Sequence, residues 1–443
     1  MEAKDLLHCE ERRQFGQKRR GKVGRSKHAS WSAKKRTYSA IDLLIEANHD
    51  RIPELLPIKM GRMAISPFTF YRGSLPLMAA DLSTMPNTGI LAQICGDAHV
   101  RNLGAFAGPD GKMVFDINDF DETVQGPWEW DLKRLGASLI LAGREAGNSD
   151  RACRDSVREF FEQYRTTINY LARIPVLEME RYRVHVAADL AVKSVLRKAE
   201  RATPLQNLEK LTVPSRGGLR RFKESRPLLV HVSRALERAI LQSFVNYLET
   251  LTPERQHVLD FYRPVDVAFK VVGTGSVATR DYVVLMFGNG PADPLFLQIK
   301  EEPPSAYAPY VRSPQTNINQ GRRVVEGQRR MQTQSDLLLG WTSFGGRDYL
   351  VRQMSDHKAA IENTDLRGQG LSSYARTCGE VLAKGHARSG DPYAISGYIG
   401  TGNKLDKAAE KFAIAYADQV TADYETFRKA VRSGRIKAAK VTT

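Results

Sequence analysis

The residues of this chain that could do chemistry are concentrated between positions 95 and 134. The segment Cys95-Gly-Asp-Ala-His-Val-Arg-Asn102 supplies a carboxylate, an imidazole and an amide side chain within a few positions. Acidic residues then follow at Asp116, Asp119, Asp121 and Asp131. Because Mg²⁺ prefers oxygen ligands and is commonly held by one or two carboxylates together with substrate phosphates, this pattern predicts a metal and phosphate site.

The first cluster lies in a segment where Gly96 and Gly104 favour an irregular turn over a helix. We expect Asp97 to act as a base and Asn102 as an amide ligand that faces the same pocket. His99 is expected to orient the loop through hydrogen bonds. A turn whose polar side chains only cap backbone groups is the alternative interpretation of this loop.

A hairpin is predicted directly after this loop. Ala107-Gly-Pro-Asp-Gly111 is a strong turn signal, and the apolar runs 103–106 and 113–115 would form its two arms. The second arm leads to the aspartates of the second cluster and brings them near the first.

The choice of metal ligand among these aspartates stays open at the level of sequence. Asp119 has the better spacing from the predicted turn and from Asp131. Asp116 could instead have the structural role of a hydrogen-bond partner for backbone groups at a strand end. Asp121 is a further candidate ligand. Asp131 opens a predicted helix, and we assign it a structural role.

These motifs resemble those of kinase-like small-molecule phosphotransferases, such as the aminoglycoside and choline kinases. In that family a Gly-Asp-x-His-x-x-Asn loop carries the base and a metal-binding Asn, and residues 96–102 resemble it position for position. A hairpin, a metal-binding Asp, a Gly-Pro turn and an Asp-Leu pair follow, and the spacing from Asp119 to Asp131 is similar. Cys95 departs from the pattern, because those kinases usually have His there. The resemblance implies ATP and Mg²⁺ as cofactors.

A second set of motifs could hold a nucleotide. Val271-Val-Gly-Thr-Gly-Ser-Val-Ala-Thr-Arg280 lies between apolar stretches and indicates strand, glycine loop and strand. Glycine lets backbone N–H groups approach phosphate without a Cβ in the way, so Gly273, Gly275 and Ser276 are candidate phosphate contacts. A hairpin turn without a ligand is the alternative for this loop.

A strand lysine and a helix glutamate complete this predicted set. Leu295-Phe-Leu-Gln-Ile-Lys300 indicates a third strand that ends in Lys300, and residues 322–332 indicate a helix in which Glu326 could pair with that lysine. Kinases use such a glycine loop, strand lysine and helix glutamate to hold the nucleotide. A solvated lysine at a strand end is the alternative interpretation.

The two sets of motifs occur in an unusual order. Kinases place the glycine loop before the catalytic loop, whereas this chain places it after. Residues 374–386 also resemble the helix that directly precedes the catalytic loop in those kinases. We therefore expect an α+β, two-lobed, protein-kinase-like (aminoglycoside phosphotransferase-like) fold that is circularly permuted and carries extra helices. This hypothesis requires a five-stranded lobe around residues 265–355.

With this fold, the chain is expected to consist of four parts. They are a basic, disordered tail (1–38), a mainly helical lobe with the catalytic loop (39–260), a β-rich nucleotide-binding lobe (261–356), and C-terminal helices that pack on the helical lobe (357–443). Within the helical lobe, residues 229–251 have the apolar spacing of a helix.

At the scale of the whole chain, the sequence is identified as a member of an uncharacterised bacterial family, domain of unknown function twenty-two fifty-two. The motifs that carry this resemblance are Ser66-Pro-Phe-Thr-Phe-Tyr-Arg-Gly73, Cys95-Gly-Asp-Ala-His99, Asn118-Asp-Phe-Asp-Glu122, Trp130-Asp-Leu-Lys-Arg-Leu135, Gly273-Thr-Gly-Ser-Val277, Gln298-Ile-Lys-Glu301, His386-Ala-Arg-Ser-Gly-Asp391 and Tyr416-Ala-Asp-Gln419. Membership names no substrate.

Composition limits the class of protein. With 443 residues and 42% hydrophobic content, the chain can bury a large core. No apolar run approaches the roughly 20 residues that span a bilayer, and the N-terminus lacks the apolar core of a secretory signal, so we expect a cytoplasmic protein. The four cysteines have no C-x-x-C spacing, which indicates neither a disulfide framework nor a zinc site.

Charge is unevenly distributed along the chain. Residues 1–36 contain twelve Lys and Arg against four Asp and Glu, which is half of the net charge of +16. This composition favours a solvated, disordered tail, although a basic arm could bind nucleic acid or acidic lipid. Farther along, Arg72 is a candidate phosphate or substrate contact, since arginine suits bidentate phosphate recognition. It could equally anchor a loop to a carboxylate.

The function that these motifs favour is ATP- and Mg²⁺-dependent transfer of a phosphoryl group to a hydroxyl acceptor. Nucleotidyl transfer on the same fold, a non-catalytic nucleotide-binding scaffold and metal-dependent hydrolysis by the carboxylates alone are the alternatives. Neither the acceptor nor the oligomeric state follows from the sequence.

Overall fold

A computed structural model describes residues 8–185, 189–215, 220–271, 273, 275, 277–311, 318–354 and 359–440. The predicted phosphate contact Ser276 lies outside the described residues. The chain is 54% helix and 16% strand, which confirms the predicted α+β class.

Helices and strands alternate in blocks along the chain. The helices are α1 (Cys9–Lys22), α2 (Ala40–Glu46), α3 (Leu56–Met63), α4 (Pro67–Gly73), α5 (Leu75–Ser83), α6 (Glu129–Glu145), α7 (Asp150–Leu171), α8 (Val176–Glu180), α9 (Leu190–Arg201), α10 (Pro204–Leu211), α11 (Arg234–Gln242), α12 (Phe244–Leu248), α13 (Pro253–Asp260), α14 (Gln320–Met331), α15 (Gln369–Ser389), α16 (Pro392–Ile399) and α17 (Lys404–Arg432). The strands are β1 (Leu91–Ile94), β2 (Leu103–Ala107), β3 (Met113–Ile117), β4 (Val124–Pro127), β5 (Thr212–Pro214), β6 (Arg220–Phe222), β7 (Leu229–His231), β8 (Arg263–Lys270), β9 (Asp281–Phe287), β10 (Pro294–Glu301), β11 (Gly340–Phe344), β12 (Arg347–Gln353) and β13 (Ala359–Ala360).

The helical body is built around α6, which is buried along nearly its whole length between α7, α15 and α17. On α7 the buried residues Phe160, Tyr164, Ile168 and Leu171 recur at helical spacing and form one apolar face. A Cβ at Gly379 of α15 would overlap the backbone of α7, so glycine permits the close approach of these two helices. Within the described part of the chain, no helix is long and apolar enough to cross a membrane.

The described part of the basic N-terminal segment, residues 8–38, folds onto the body of the protein, which corrects the prediction of a disordered tail there. Helix α1 packs closely on α16, because Gly16 and Gly397 leave no side chain between the two backbones. Farther along, the Arg36 guanidinium forms buried ion pairs with Asp81 at 2.6 Å and with Asp423 at 2.8 Å. Basic residues of this segment therefore form ion pairs and packing contacts with the body of the protein.

A six-stranded antiparallel sheet contains β8 to β12, and its strand order is β11-β12-β10-β9-β8-β7. One face packs on α11, α12 and α13. The predicted helix over residues 229–251 is wrong at its start, because Leu229–His231 forms the edge strand β7. The helix begins only after Ser233, whose side chain caps α11.

The predicted hairpin after the first motif is confirmed. Strand β2 pairs with β3 from Leu103 opposite Ile117 to Ala107 opposite Met113, and Gly111 in the turn has a φ of +72°. Strand β1 pairs with β4 beside it. The segment 95–102 connects β1 to β2 and the segment 118–123 connects β3 to β4, and the two segments are in contact where Gly96 lies against Glu122.

Candidate functional site

One large cavity lies between the helical body and the six-stranded sheet, with a volume of about 980 Å³. Most of the residues that the sequence predicts for the site line this cavity, namely Asp97, His99, Asn102, Asp119, Asp121, Arg72, Gly273, Gly275 and Lys300. Motifs that are far apart in the sequence thus share one site. The predicted residues Asp116, Asp131 and Glu326 do not line it.

The carboxylate of Asp97 is held by Arg134 of α6. The Nε and Nη2 atoms of Arg134 lie 2.7 Å and 2.6 Å from Oδ1 of Asp97, and the arginine side chain is fully buried. Nε2 of His99 lies 3.8 Å from the other oxygen, Oδ2. Burial raises the pKa of Asp97, and the charge of Arg134 opposes this rise. Oδ2 is therefore the oxygen left for a ligand.

Hydrogen bonds from buried groups fix the shape of the loop that carries Asp97. The Asp131 carboxylate accepts the backbone N–H groups of Cys95 at 2.8 Å and of Gly96 at 3.0 Å. Nδ2 of Asn102 donates to the carbonyl oxygen of Asp97 at 3.0 Å, so its Oδ1 remains available. Asp131 is completely buried, and its contacts are those of a residue that supports the loop.

Gly96 is required by this geometry. Its φ is +81°, a region that side chains other than glycine rarely adopt. A Cβ at this position would also overlap the carbonyl group of Glu122. The glycine therefore lets the 95–102 loop lie directly against the 118–123 segment.

Asp119, Asp121 and Lys300 form a charged cluster on the floor of the cavity. The ammonium of Lys300 forms an ion pair with Asp121 and lies 3.9 Å from Oδ1 of Asp119. Burial alone would lower the pKa of Lys300, but the nearby carboxylates of Asp119, Asp121 and Glu302 together outweigh burial and raise this pKa. Burial and the neighbouring Asp121 raise the pKa of Asp119 to about 6. At Asp121 the positive charge of Lys300 outweighs the effect of burial and lowers the pKa of the carboxyl group.

Asp116, one of the candidate metal ligands, lies outside the cavity. Its carboxylate forms a buried ion pair with Lys384 of α15 and accepts the backbone N–H of Ile117 at 2.8 Å. Only 1% of Asp116 is exposed. Its place inside the core, with a cation already bound, corrects the prediction that it binds metal.

Glu326 does not pair with Lys300, which corrects the second part of the nucleotide-site prediction. Its Oε1 accepts a hydrogen bond at 2.7 Å from Arg322, one helical turn away on α14. Also on α14, Arg323 donates to the carbonyl oxygens of Asp121 at 2.9 Å and Thr123 at 2.7 Å. The counter-ions of Lys300 therefore come from the 119–121 segment, and α14 supports that segment.

Arg72 lines the cavity, and the charges of Asp97 and Asp119 act on its guanidinium. Its Nε atom is buried without a hydrogen-bond partner, and no ion pair joins its side chain to another described residue. Burial, with the neighbouring Arg101, lowers the pKa of Arg72 to about 10, although Asp97 and Asp119 oppose this. A half-buried cation that forms no ion pair with a described residue is suited to bind an anion.

The glycine loop lies over the same cavity. Nη1 of Arg62 donates to the carbonyl oxygen of Gly273 at 2.8 Å and joins the loop to α3. A Cβ at Gly273 would meet no atom within 4 Å, and one at Gly275 would have a single neighbour at 3.9 Å. The fold therefore leaves open space at both glycines that a ligand could fill.

Arg134 and Arg323, which hold the Asp97 carboxylate and the 121–123 backbone, and Glu302, which lines the cavity, are buried residues that the sequence did not indicate. Both carboxylate oxygens of Glu302 are buried without a hydrogen-bond partner among the described residues. Burial and the negative charge of Asp121 raise the pKa of Glu302 well above the usual value. Glu302 lies two positions after Lys300, at the end of a strand whose last residues face the cavity, and that position was the available signal.

Among the described residues, no group of three or more His, Cys, Asp or Glu side chains could hold a metal ion by itself. The donor set of the cavity is an amide oxygen at Asn102 and a carboxylate at Asp119. Mg²⁺ commonly takes only one or two protein carboxylates and completes its shell with water and phosphate oxygens. Asn102 and Asp119 are side chains of the types that such an ion binds together with phosphate oxygens.

The model of a family described as "Uncharacterized protein conserved in bacteria (DUF2252)" matches residues 51–430. No curated protein and no solved structure matches the chain.

Proposed function

Since the chain belongs to the uncharacterised bacterial family DUF2252, we propose its function from the site alone: it is a kinase-like phosphotransferase. It binds ATP with Mg²⁺ and transfers the γ-phosphoryl group to a hydroxyl acceptor. The observation that carries this proposal is the cavity shared by Lys300 of the sheet and by Asp97, Asn102 and Asp119 of the helical body.

The arrangement of strands supports a kinase-like nucleotide lobe. Strands β8 to β12 provide the five strands that the hypothesis requires, with the glycine loop between the first two and Lys300 on the third. Helix α14 follows that strand and precedes the last two. In kinases the nucleotide lysine also lies on the third strand and a helix follows it.

The position of α15 supports the circular permutation. Its last residue, Ser389, donates a hydrogen bond to the carbonyl oxygen of Gln93 in β1 at 2.9 Å. Strand β1 leads directly into the 95–102 loop. A single connection from the end of α15 to β1 would therefore produce the order of a helix followed by the catalytic loop.

The residues of the site have distinct roles in this proposal. Oδ2 of Asp97 accepts the proton of the acceptor hydroxyl, and Arg134 holds the carboxylate in place. Asn102 and Asp119 hold Mg²⁺, which neutralises phosphate charge when bound. When the nucleotide binds, the ammonium of Lys300 leaves Asp121 and pairs with the nucleotide phosphates. Arg72 binds the transferred phosphoryl group, where its fixed positive charge stabilises the negative charge that develops in the transition state.

Binding of ATP with and without Mg²⁺ tests this proposal. We expect ATP to raise the melting temperature of the wild type only with Mg²⁺, and the rise to disappear in Asp119→Ala because that variant lacks the metal carboxylate. Thermal shift measures this directly. A wild type that ATP does not stabilise, with or without Mg²⁺, contradicts the proposal and favours metal-dependent hydrolysis by the carboxylates.

The pKa of Asp119 gives the proposal a pH dependence. This pKa is raised to about 6, so the protonated form accumulates as the pH falls through that value. A protonated carboxyl cannot bind the metal, and the apparent Mg²⁺ affinity should fall by about tenfold per pH unit below the pKa. Titration of Mg²⁺ into the ATP complex measures this change in affinity. The range from pH 5 to pH 8 extends from about one unit below the pKa to about two units above it. Asp119→Asn should remove the part of the dependence that Asp119 supplies and leave the part that comes from the nucleotide phosphates, which titrate at a pKa of about 6 themselves.

A further inference from the structure

A second, smaller cavity lies between the N-terminal helix α1 and the turn that joins α16 to α17. Its volume is about 420 Å³, and it shares no lining residue with the large cavity. Five cations line it, namely Arg13, Arg20, Arg25, Arg173 and Lys404. The other lining residues are glycines and uncharged polar residues, so the described wall contains neither a carboxylate nor an apolar side chain.

The cations of this cavity come from separate parts of the chain. Helix α1 contributes Arg13, Gln17 and Arg20, which are the i, i+4 and i+7 positions of one helix face. Arg173 follows the end of α7, and Lys404 is the first residue of α17. The fold therefore brings positive charge from distant elements to one concave space.

The guanidinium groups of Arg20 and Arg25 converge on Gly400. A Cβ placed on Gly400 would lie 2.8 Å from Nη2 of Arg20 and 3.3 Å from Nη1 of Arg25. Nε of Arg20 donates to the carbonyl oxygen of Tyr398 at 2.9 Å, and Nη1 of Arg25 donates to that of Ile399 at 2.6 Å. These carbonyl groups fix the two arginines but carry no net charge. Because a guanidinium has five N–H donors, both arginines keep donors for a ligand.

Little negative charge balances the five cations. In the described part of the chain, the one carboxylate that forms an ion pair with any of them is Glu10, whose Oε2 lies 3.9 Å from Nε of Arg13. Asp406 is near Lys404 in the sequence, but it pairs with Arg165 at 2.9 Å. Positive charge that is concentrated in a concave surface raises the local concentration of anions and favours their binding.

The size and lining of this cavity select a class of ligand. Its volume lies within the range of small-molecule sites, which is roughly 300–1,000 Å³. Since no aromatic or aliphatic side chain belongs to the described wall, it offers no surface on which a nucleobase could stack or an acyl chain could pack. Phosphate suits the guanidinium groups, because arginine binds it through two parallel N–H···O bonds. Five cations exceed the charge of a single phosphate group, which is about −1.5 to −2.

We propose that this cavity binds a small molecule that carries two or more phosphate groups. Arg20 and Arg25 hold it at the turn after α16, and Arg173 and Lys404 hold it at the end of α7 and the start of α17. The site is separate from the proposed phosphotransferase site and does not depend on that function. A bound ligand connects α1 to α7 and α17, so it should raise the melting temperature of the protein.

Calorimetry with inorganic tripolyphosphate, on the full chain and without Mg²⁺, tests this proposal. We expect the wild type to bind, and the affinity of the double variant Arg173→Gln/Lys404→Gln to be lower by about fivefold or more, because each exposed charge paired with phosphate contributes a few-fold. Both residues are exposed, and neither forms an ion pair with another described residue. The variant should therefore melt at the same temperature as the wild type when no ligand is present.

Arg151→Gln/Lys429→Gln is the matched control, because it removes the same two kinds of charge from exposed positions at the other ends of α7 and α17, outside the cavity. Its affinity for tripolyphosphate should stay within about twofold of the wild type, and so should that of Lys300→Met. Wild type that does not bind tripolyphosphate overturns the proposal. An equal loss in the control would reduce the effect to net charge, and a loss in Lys300→Met alone would place the anion in the large cavity; either result overturns the proposal.

Two further probes distinguish a small ligand from a macromolecule. They are oligothymidylate and vesicles that contain phosphatidylserine. If either binds more tightly than tripolyphosphate and loses affinity in Arg173→Gln/Lys404→Gln, the surface belongs to nucleic acid or to a membrane, and the proposal of a small ligand is wrong. Weaker binding of both probes than of tripolyphosphate supports the proposal.

Discussion

Replacing Asp97 by asparagine is expected to lower phosphoryl transfer by about 10²- to 10⁴-fold, the contribution of a positioned general base. The asparagine keeps the shape of the side chain and can still accept a hydrogen bond from Arg134 through its carbonyl oxygen. It cannot take the proton of the acceptor hydroxyl. Transfer of label from [γ-³²P]ATP to cell-extract acceptors measures the loss, and affinity for ATP with Mg²⁺ should stay within about twofold because Asp97 does not hold the nucleotide.

Asp116→Asn is the matched control for this variant. It makes the same chemical change in another buried ion pair, that between Asp116 and Lys384, outside the cavity. Breaking a buried pair costs about 3–5 kcal/mol, so both variants should unfold at lower temperature than the wild type. Only Asp97→Asn should lose turnover beyond the loss of folded protein. Equal turnover in the two variants would show that Asp97 supports structure and is not the base.

The parts of the site that could be predicted from sequence are those set by local chemistry. The hairpin of β2 and β3 follows from a Gly-Pro-Asp-Gly turn between apolar arms, and these signals act over a few residues. The loop at Asp97 was likewise identified from its own residues. Gly96 has a φ of +81°, which explains why the motif needs glycine.

The ion pairs of the site could not be predicted, because they depend on how distant elements are oriented. Spacing alone allowed either Asp116 or Asp119 to face the cavity, and the packing of α15 decides between them by bringing Lys384 to Asp116. The face that α14 turns to the 121–123 segment likewise depends on tertiary packing. This face presents Arg323, while Glu326 pairs along the helix with Arg322.

For the N-terminal segment, amino-acid composition likewise could not predict a structure that depends on distant residues. Its high charge and low apolar content are typical of disordered tails. Its order comes from contacts with residues more than three hundred positions later, such as the bond from Arg20 to the carbonyl oxygen of Tyr398 at 2.9 Å. A composition window cannot detect partners at that separation.

Replacing Lys300 by methionine is expected to have the second large effect. We expect turnover of ATP to fall by about 10²- to 10³-fold, as when one fixed donor to a developing charge is removed. The substitution also leaves Asp119 and Asp121 without their shared cation, so mutual repulsion raises the pKa of Asp121 and lowers the stability of the free protein. Thermal unfolding without ligands and steady-state ADP release measure the two consequences.

Adding Mg²⁺ to Lys300→Met distinguishes the role of Lys300 as a counter-ion to the aspartates from its role in binding nucleotide phosphates. If the ammonium serves as counter-ion to the aspartates in the free protein, Mg²⁺ without nucleotide should stabilise Lys300→Met more than the wild type, because the ion replaces the missing charge. Glu326→Gln is the control: its partner Arg322 is half-exposed, so the loss of that pair should change stability by no more than about 0.5 kcal/mol and leave turnover unchanged. Full turnover in Lys300→Met, combined with this rescue by Mg²⁺, would make Lys300 a structural counter-ion and remove the nucleotide role proposed for the third strand.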